Sequence, residues 1–209
     1  MPSTSRHRLL SPVSRQPLVR EVEAAGFRVI RGFVVPEPAP QILEHFLDKT
    51  RQALFVRQRR VRQQALDDAA ASAGWLSAQP PVERIAMIGF SAGGHLSYLA
   101  ACQLPISRTA VLYGGWLPTT DIPMSRPSPT LDLTPGIRGR LLYLVGDDDA
   151  LIDAGQRRQI GDALHAAGID HELVSYPAVA HAFFWPGTPA FSRPARDDAW
   201  ARILTLLAS

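Results

Sequence analysis

The alternation of two kinds of local pattern constrains this chain's fold more than any other feature. Four compact apolar runs, Ile85–Phe90, Thr109–Tyr113, Leu141–Val145 and Glu172–Tyr176, have the length and the β-branched or aromatic content of buried strands. A fifth such run is Phe27–Val35, preceded by a helical stretch, Leu18–Ala25, that stops at Gly26. Helical spacing fills the intervals Pro40–Gln79, Ala92–Gln103, Gln156–Ala167 and Asp197–Leu207. The first of these should break between Arg62 and Asp67 and end at Pro80–Pro81. Strands that alternate with helices form a mainly parallel sheet covered on both faces, here with five to six strands. The strand ending at Phe90 should lie near its centre. The Pro-rich interval Leu117–Pro135 has no periodicity and reads as a surface loop. There is no internal repeat, and 209 residues fit a single domain spanning 1–209, with 1–17 irregular.

Composition excludes several classes. No run of 18 apolar residues appears, and the Ser-, Arg- and Pro-rich start carries only Leu9–Leu10 where a secretory signal needs a longer apolar core. A single cysteine, Cys102, precludes an internal disulfide, and the expectation is a cytoplasmic protein, monomer or homodimer. The sequence pI is about 9.5, yet the formal net charge is only +3. The densest basic run, Arg57–Arg62, reads as a solvated helix face, so nucleic acid is not expected as a partner.

Chemistry enters at Gly89-Phe90-Ser91-Ala92-Gly93, a G-x-S-x-G pattern between a strand and a helix. A serine on so sharp a turn is exposed for attack. The flanking glycines remove side chains that would meet the neighbouring strand and helix, and Ala92 offers its backbone N–H to a developing oxyanion. A serine needs a base, and the base needs an orienting acid. Asp147, Asp148 and Asp149 follow the strand Leu141–Val145, and His181 is the one histidine in a loop after a strand and beyond those carboxylates. His45, His95 and His165 fall on helices, where exposure is expected.

Six segments carry a resemblance: EAAGFRVI, VERIAMIGFSAGG, AVLYGG, LYLVGDDDALI, YPAVAHAFF and DDAWARILTLL. Together they resemble the dienelactone hydrolase family of the α/β-hydrolase fold, over roughly nine tenths of the chain. The family's acid ends a G-x-x-D pattern and its histidine follows Tyr-Pro, so the resemblance implies a Ser91, Asp149 and His181 triad. It further implies ester, lactone or thioester hydrolysis through an acyl-enzyme, without cofactor or metal, and a small-molecule substrate as partner. Family members often carry cysteine at the elbow; here Cys102 lies down the helix as core. The founding enzymes place an arginine four residues after the histidine, where this chain has Trp185. Tyr113, Trp116, Phe183, Phe184 and Trp185 are candidates for an apolar acyl pocket, or for core. The family's initial strands, with a His-Glu pair supplying the second oxyanion donor, have their nearest counterpart in His7-Arg8. The chain therefore looks shortened at its N-terminus, with Leu9 the candidate donor. A non-catalytic binding relative is the alternative if that donor is lost.

Overall fold

The computed structural model describes residues 61–80 and 82–209. Its elements are helix α1 (Val61–Ser77), strand β1 (Ala86–Phe90), helix α2 (Ala92–Gln103) and strand β2 (Arg108–Leu112), then strand β3 (Arg140–Gly146), helix α3 (Ala154–Ala166), strand β4 (His171–Tyr176) and helix α4 (Arg193–Ala208). The four expected strands in this region are present, each within two residues of its sequence bounds. The Leu117–Pro135 interval is not wholly irregular, for it contains short 3₁₀ turns at Pro123–Ser125 and Thr130–Gly136.

The four strands form one all-parallel sheet in the order β1-β2-β3-β4. Four strands lie among the described residues, with β1 at one end of these four. The expected partner on its free side, Phe27–Val35, lies outside the described residues.

Burial explains why these segments are strands. Residues Leu141 to Val145 are almost wholly buried one after another, as are Ala110 to Leu112. Successive strand residues point to opposite faces, so both faces of β2 and β3 are covered. Helix α2 lies against β1 and β2, and α4 lies against β2 and β3. Each fully buried leucine, such as Leu112 or Leu144, contributes about 2 kcal/mol relative to exposure. Parallel strands that leave the sheet in the same direction bring the loops after β1, β3 and β4 to one edge, which positions the site.

Two local expectations fail for physical reasons. Helix α1 runs unbroken through Arg62–Asp67, because Gln63 and Gln64 bond Asp67 and Asp68 one turn on and no proline interrupts it. Arg62 is not a solvated charge. Its guanidinium donates to Met124 O, Ser128 O and Thr130 Oγ1, which ties α1 to the loop beneath it. Among the described residues no helix is long and apolar enough to cross a membrane.

Candidate active site

The turn between β1 and α2 places Ser91 at φ 54° and ψ −120°, a backbone form that an L-residue rarely adopts. Such a residue costs on the order of 1–3 kcal/mol and persists only where its surroundings hold it. Here Ser91 N donates to Leu112 O at 3.0 Å, and His95 N donates back to Ser91 O at 3.0 Å.

The flanking glycines do unequal work. A Cβ on Gly89 would fall 2.0 Å from Gly93 O and 2.2 Å from Ser97 Oγ, and one on Gly94 would fall 2.8 Å from Leu112 O. Gly93, although the last glycine of the pattern, faces open space. The expectation that both outer glycines avoid collision therefore holds for Gly89 and fails for Gly93, where Gly94 carries the constraint.

The loop after β4 brings His181 to the serine, with Ser91 Oγ 2.9 Å from His181 Nε2. The other ring nitrogen, Nδ1, lies 2.7 Å from Asp149 Oδ2. The Asp149 side chain is fully buried, whereas His181 remains 22% exposed. A carboxylate only accepts, so Nδ1 carries the proton and Nε2 is left free to accept from the Ser91 hydroxyl. Asp149 also takes the Leu151 N–H at 2.9 Å, which fixes the carboxylate's second oxygen. Of the three carboxylates after β3, only Asp149 reaches the imidazole. Asp147 instead accepts from Ala178 N at 2.6 Å, bracing the loop that carries His181, and Asp148 is exposed.

Ala92 opens α2, so its N–H is one of the first-turn donors without an intrahelical partner. Leu9, the expected second oxyanion donor, lies outside the described residues.

The five aromatic candidates divide. Tyr113 sets its ring edge against His181 at 4.9 Å between centroids. Phe183 is enclosed by Tyr113 and Tyr176, and Phe184 by Phe90, Trp185 and Trp200. Both phenylalanines are fully buried, so they are core and offer no free wall. Trp116 is half-buried and takes no part in this ring cluster among the described residues. Trp185 is 36% exposed with its ring 5.0 Å from that of Phe90. Sequence reasoning missed Phe90. As the residue immediately before the serine, it belongs to the same strained turn, which was the available signal.

His95 was expected on an exposed helix face and is instead fully buried. Burial lowers its pKa to about 4, against a smaller opposing effect of its bond to Gly115 O. The signal lay in α2 itself, AGGHLSYLAACQ, which is small or apolar on every side and so must be enclosed. Cys102 is buried as expected, and burial pushes its thiol up to about 12, leaving it protonated and inert at neutral pH. No group of three His, Cys, Asp or Glu side chains among the described residues could hold a metal ion.

A parallel sheet with flanking helices, and a strained strand-to-helix turn whose serine meets a histidine and a buried aspartate, define the class: this is an α/β-hydrolase fold. The chain belongs to the dienelactone hydrolase family, whose model matches residues 31–209. It is 31% identical over 159 residues to a protein named "Putative carboxymethylenebutenolidase" from Saccharolobus solfataricus, which covers 76% of this chain and 57% of that protein. A protein of the same name from Escherichia coli is 30% identical over 142 residues, covering 68% of this chain and 52% of that protein. The chain thus spans little more than half the length of these curated relatives. Among solved structures, a "Putative Dienelactone Hydrolase" from Klebsiella pneumoniae superposes with a TM-score of 0.62 at 23% identity, covering 83% of this chain and 68% of that one. A dienelactone hydrolase-like promiscuous phosphotriesterase, P91, from metagenomic libraries gives 0.55 at 23% identity over 80% of this chain and 64% of that one.

Proposed function

We propose that the protein is a serine hydrolase that cleaves a small neutral carboxylic ester through an acyl-enzyme. The observation that carries this reading is the pair of hydrogen bonds at His181, one to Ser91 Oγ and one to Asp149 Oδ2. In the proposed reaction His181 Nε2 takes the Ser91 proton as Oγ attacks the ester carbonyl. Asp149 holds the ring in the tautomer that allows this and stabilises the imidazolium. The Ala92 N–H, at the positive end of α2, supports the oxyanion. His181 then protonates the leaving alkoxide, and water releases the acyl group by the same steps in reverse.

The side chain at position 185 supports a neutral substrate. Where the founding dienelactone enzymes place a cation, this chain presents a half-open indole against Phe90. A substrate carboxylate buried there would lose water without gaining a partner, at a cost of about 1–3 kcal/mol or more. Hydrolysis of p-nitrophenyl acetate, compared with dienelactone by kcat/KM, tests the proposal. The neutral ester should be preferred, and Trp185→Arg should move the ratio toward the anionic lactone by about tenfold or more. A clear preference for dienelactone in the unaltered protein would contradict this substrate class. Ester turnover that survives Ser91→Ala would contradict the mechanism.

A further inference from the structure

The loop that follows β2 is strained at both ends. Tyr113 has φ 42° and Trp116 φ 59°, and neither is glycine. Between and including these positions, three consecutive carbonyls each accept a hydrogen bond from a buried side chain. Tyr143 Oη donates to Gly114 O at 2.7 Å, His95 Nδ1 to Gly115 O at 2.7 Å, and Ser125 Oγ to Trp116 O at 3.0 Å. The three donor residues are almost wholly buried. The loop also lies directly on the elbow helix, since a Cβ on Gly114 would fall 2.8 Å from His95 N.

The direction of each bond at His95 follows from chemistry. Gly115 O can only accept, so Nδ1 carries the ring proton. Neutral Nε2 must then accept, and Thr130 Oγ1, 2.8 Å away, donates to it. The Thr130 oxygen in turn accepts from Arg62 Nη2 at 2.8 Å. Both ring nitrogens of His95 are used, and the other tautomer would leave Nδ1 without a proton for Gly115 O.

His95 differs from the other two donors in its position. It lies four residues after Ser91, and its own N–H bonds Ser91 O, so it shares the nucleophile's helical turn. Through Gly115 it connects that turn to the loop that carries Tyr113. Among the described residues the Tyr113 hydroxyl is buried without a hydrogen-bond partner, so there the ring that meets His181 is placed by backbone and packing.

We propose that His95 is a positioning residue of the hydrolytic site: it holds the loop Tyr113–Trp116 in the strained form that braces the His181 imidazole against Ser91. This rests on the triad reading above, and it assigns work to a histidine that the triad does not use. The alternative is a histidine that only fills the core.

Two substitutions separate these roles. His95→Asn puts an amide donor where Nδ1 stands and keeps the Gly115 bond, whereas His95→Gln carries its amide to the Nε2 end and gives that bond up. With p-nitrophenyl acetate, His95→Asn should stay within about threefold of the unaltered kcat. His95→Gln should lose about tenfold or more in kcat with KM little changed. The pH midpoint of His181, followed by NMR at the ring Cε1–H, should move in His95→Gln and not in His95→Asn. That titration decides the matter even in a protein that does not turn over ester, so failure of the triad reading is distinguishable from failure of this one. Should His95→Gln not fold, Ser125→Ala removes only the neighbouring hydroxyl; it should lower kcat about threefold or more and move the same midpoint. Equal behaviour of His95→Asn and His95→Gln, or an unmoved His181 midpoint in Ser125→Ala, would overturn the proposal.

Discussion

The two ends of the parallel sheet use charge in opposite ways. At the amino end, a cavity of about 270 Å³ lies between β3, β4 and α4, lined by Arg140, Glu172, Asp198 and Arg202 among others. Three of these charges are paired with one another, and Arg140 pairs with Asp170 beside them at 3.6 Å. Arg202 meets both Glu172 and Asp198, and Asp198 also accepts from Tyr176 Oη at 2.8 Å. These partners hold the Asp198 carboxyl below its ordinary range, and the Asp198 bond foremost raises the Arg202 guanidinium. At the carboxyl end His181 and the buried Asp149 converge on one point, Ser91 Oγ. Among the described residues, the five non-glycine residues with positive φ (Ser91, Tyr113, Trp116, Ala178 and Ala182) all lie in the loops at this end. Ser91, His181 and Asp149 line no part of the cavity at the amino end, and strain and directed hydrogen bonds, not cavity volume, set the candidate site apart.

The largest effect is expected at the serine. Ser91→Ala should abolish ester turnover to background while the fold persists, whereas Cys102→Ala should keep it, measured with p-nitrophenyl acetate at neutral pH. Asp149→Asn should cost on the order of 10³-fold or more in kcat, because an amide facing Nδ1 no longer selects the productive tautomer. Activity within a few-fold of the unaltered protein would show that the buried carboxylate is not part of the mechanism.

The glycines sharpen it next. Gly89→Ala meets backbone at 2.0 Å and should prevent the elbow from forming, seen as loss of soluble folded protein. Gly93→Ala meets nothing and should stay folded, with a gain of up to about 1 kcal/mol in the thermal or urea midpoint from helix propensity.

His95 gives a pH signature. It titrates at about 4 in the fold against 6.5 when free, so the folded state favours the neutral ring. The stability present above pH 6.5 is therefore lost as pH falls through the window from 6.5 to about 4. At about 1.4 kcal/mol per pH unit the loss reaches about 3 kcal/mol. Urea unfolding across that window should show this loss in the unaltered protein and a smaller one in His95→Asn. At the opposite end of the sheet the smallest effect is expected. Arg202→Gln breaks two partly exposed pairs, so it should cost no more than about 1 kcal/mol, a fall of at most about 2–4 °C in Tm, with ester turnover unchanged.

Much of this was legible in the sequence because it depends on local pattern and chain order. The strands β1 to β4 are short apolar runs, and the order Ser91, Asp149, His181 follows from which loops leave the same sheet edge. Choosing Asp149 over Asp147 and Asp148 required the family's spacing, since any of the three follows β3. What could not be read depends on which neighbour arrives across the fold. Gly93 and Gly94 are alike in sequence, yet only Gly94 lies under the carbonyl of Leu112. Arg62 ends a basic run that looks solvated, but it is captured by three oxygens about 60 to 70 residues away in the chain. His95 sits among small and apolar residues of AGGHLSYLAACQ, a setting that itself points to the interior. Phe183 and Phe184 were rightly seen beside His181, but their burial depends on Tyr176 and Trp200 from other elements.

An activated Ser91 is open to covalent trapping with a fluorophosphonate, followed by peptide mass mapping. The account predicts a single adduct on Ser91, formed in the folded protein and slowed sharply in His181→Ala. A folded protein that forms no adduct, or one that carries it on another residue, would contradict it.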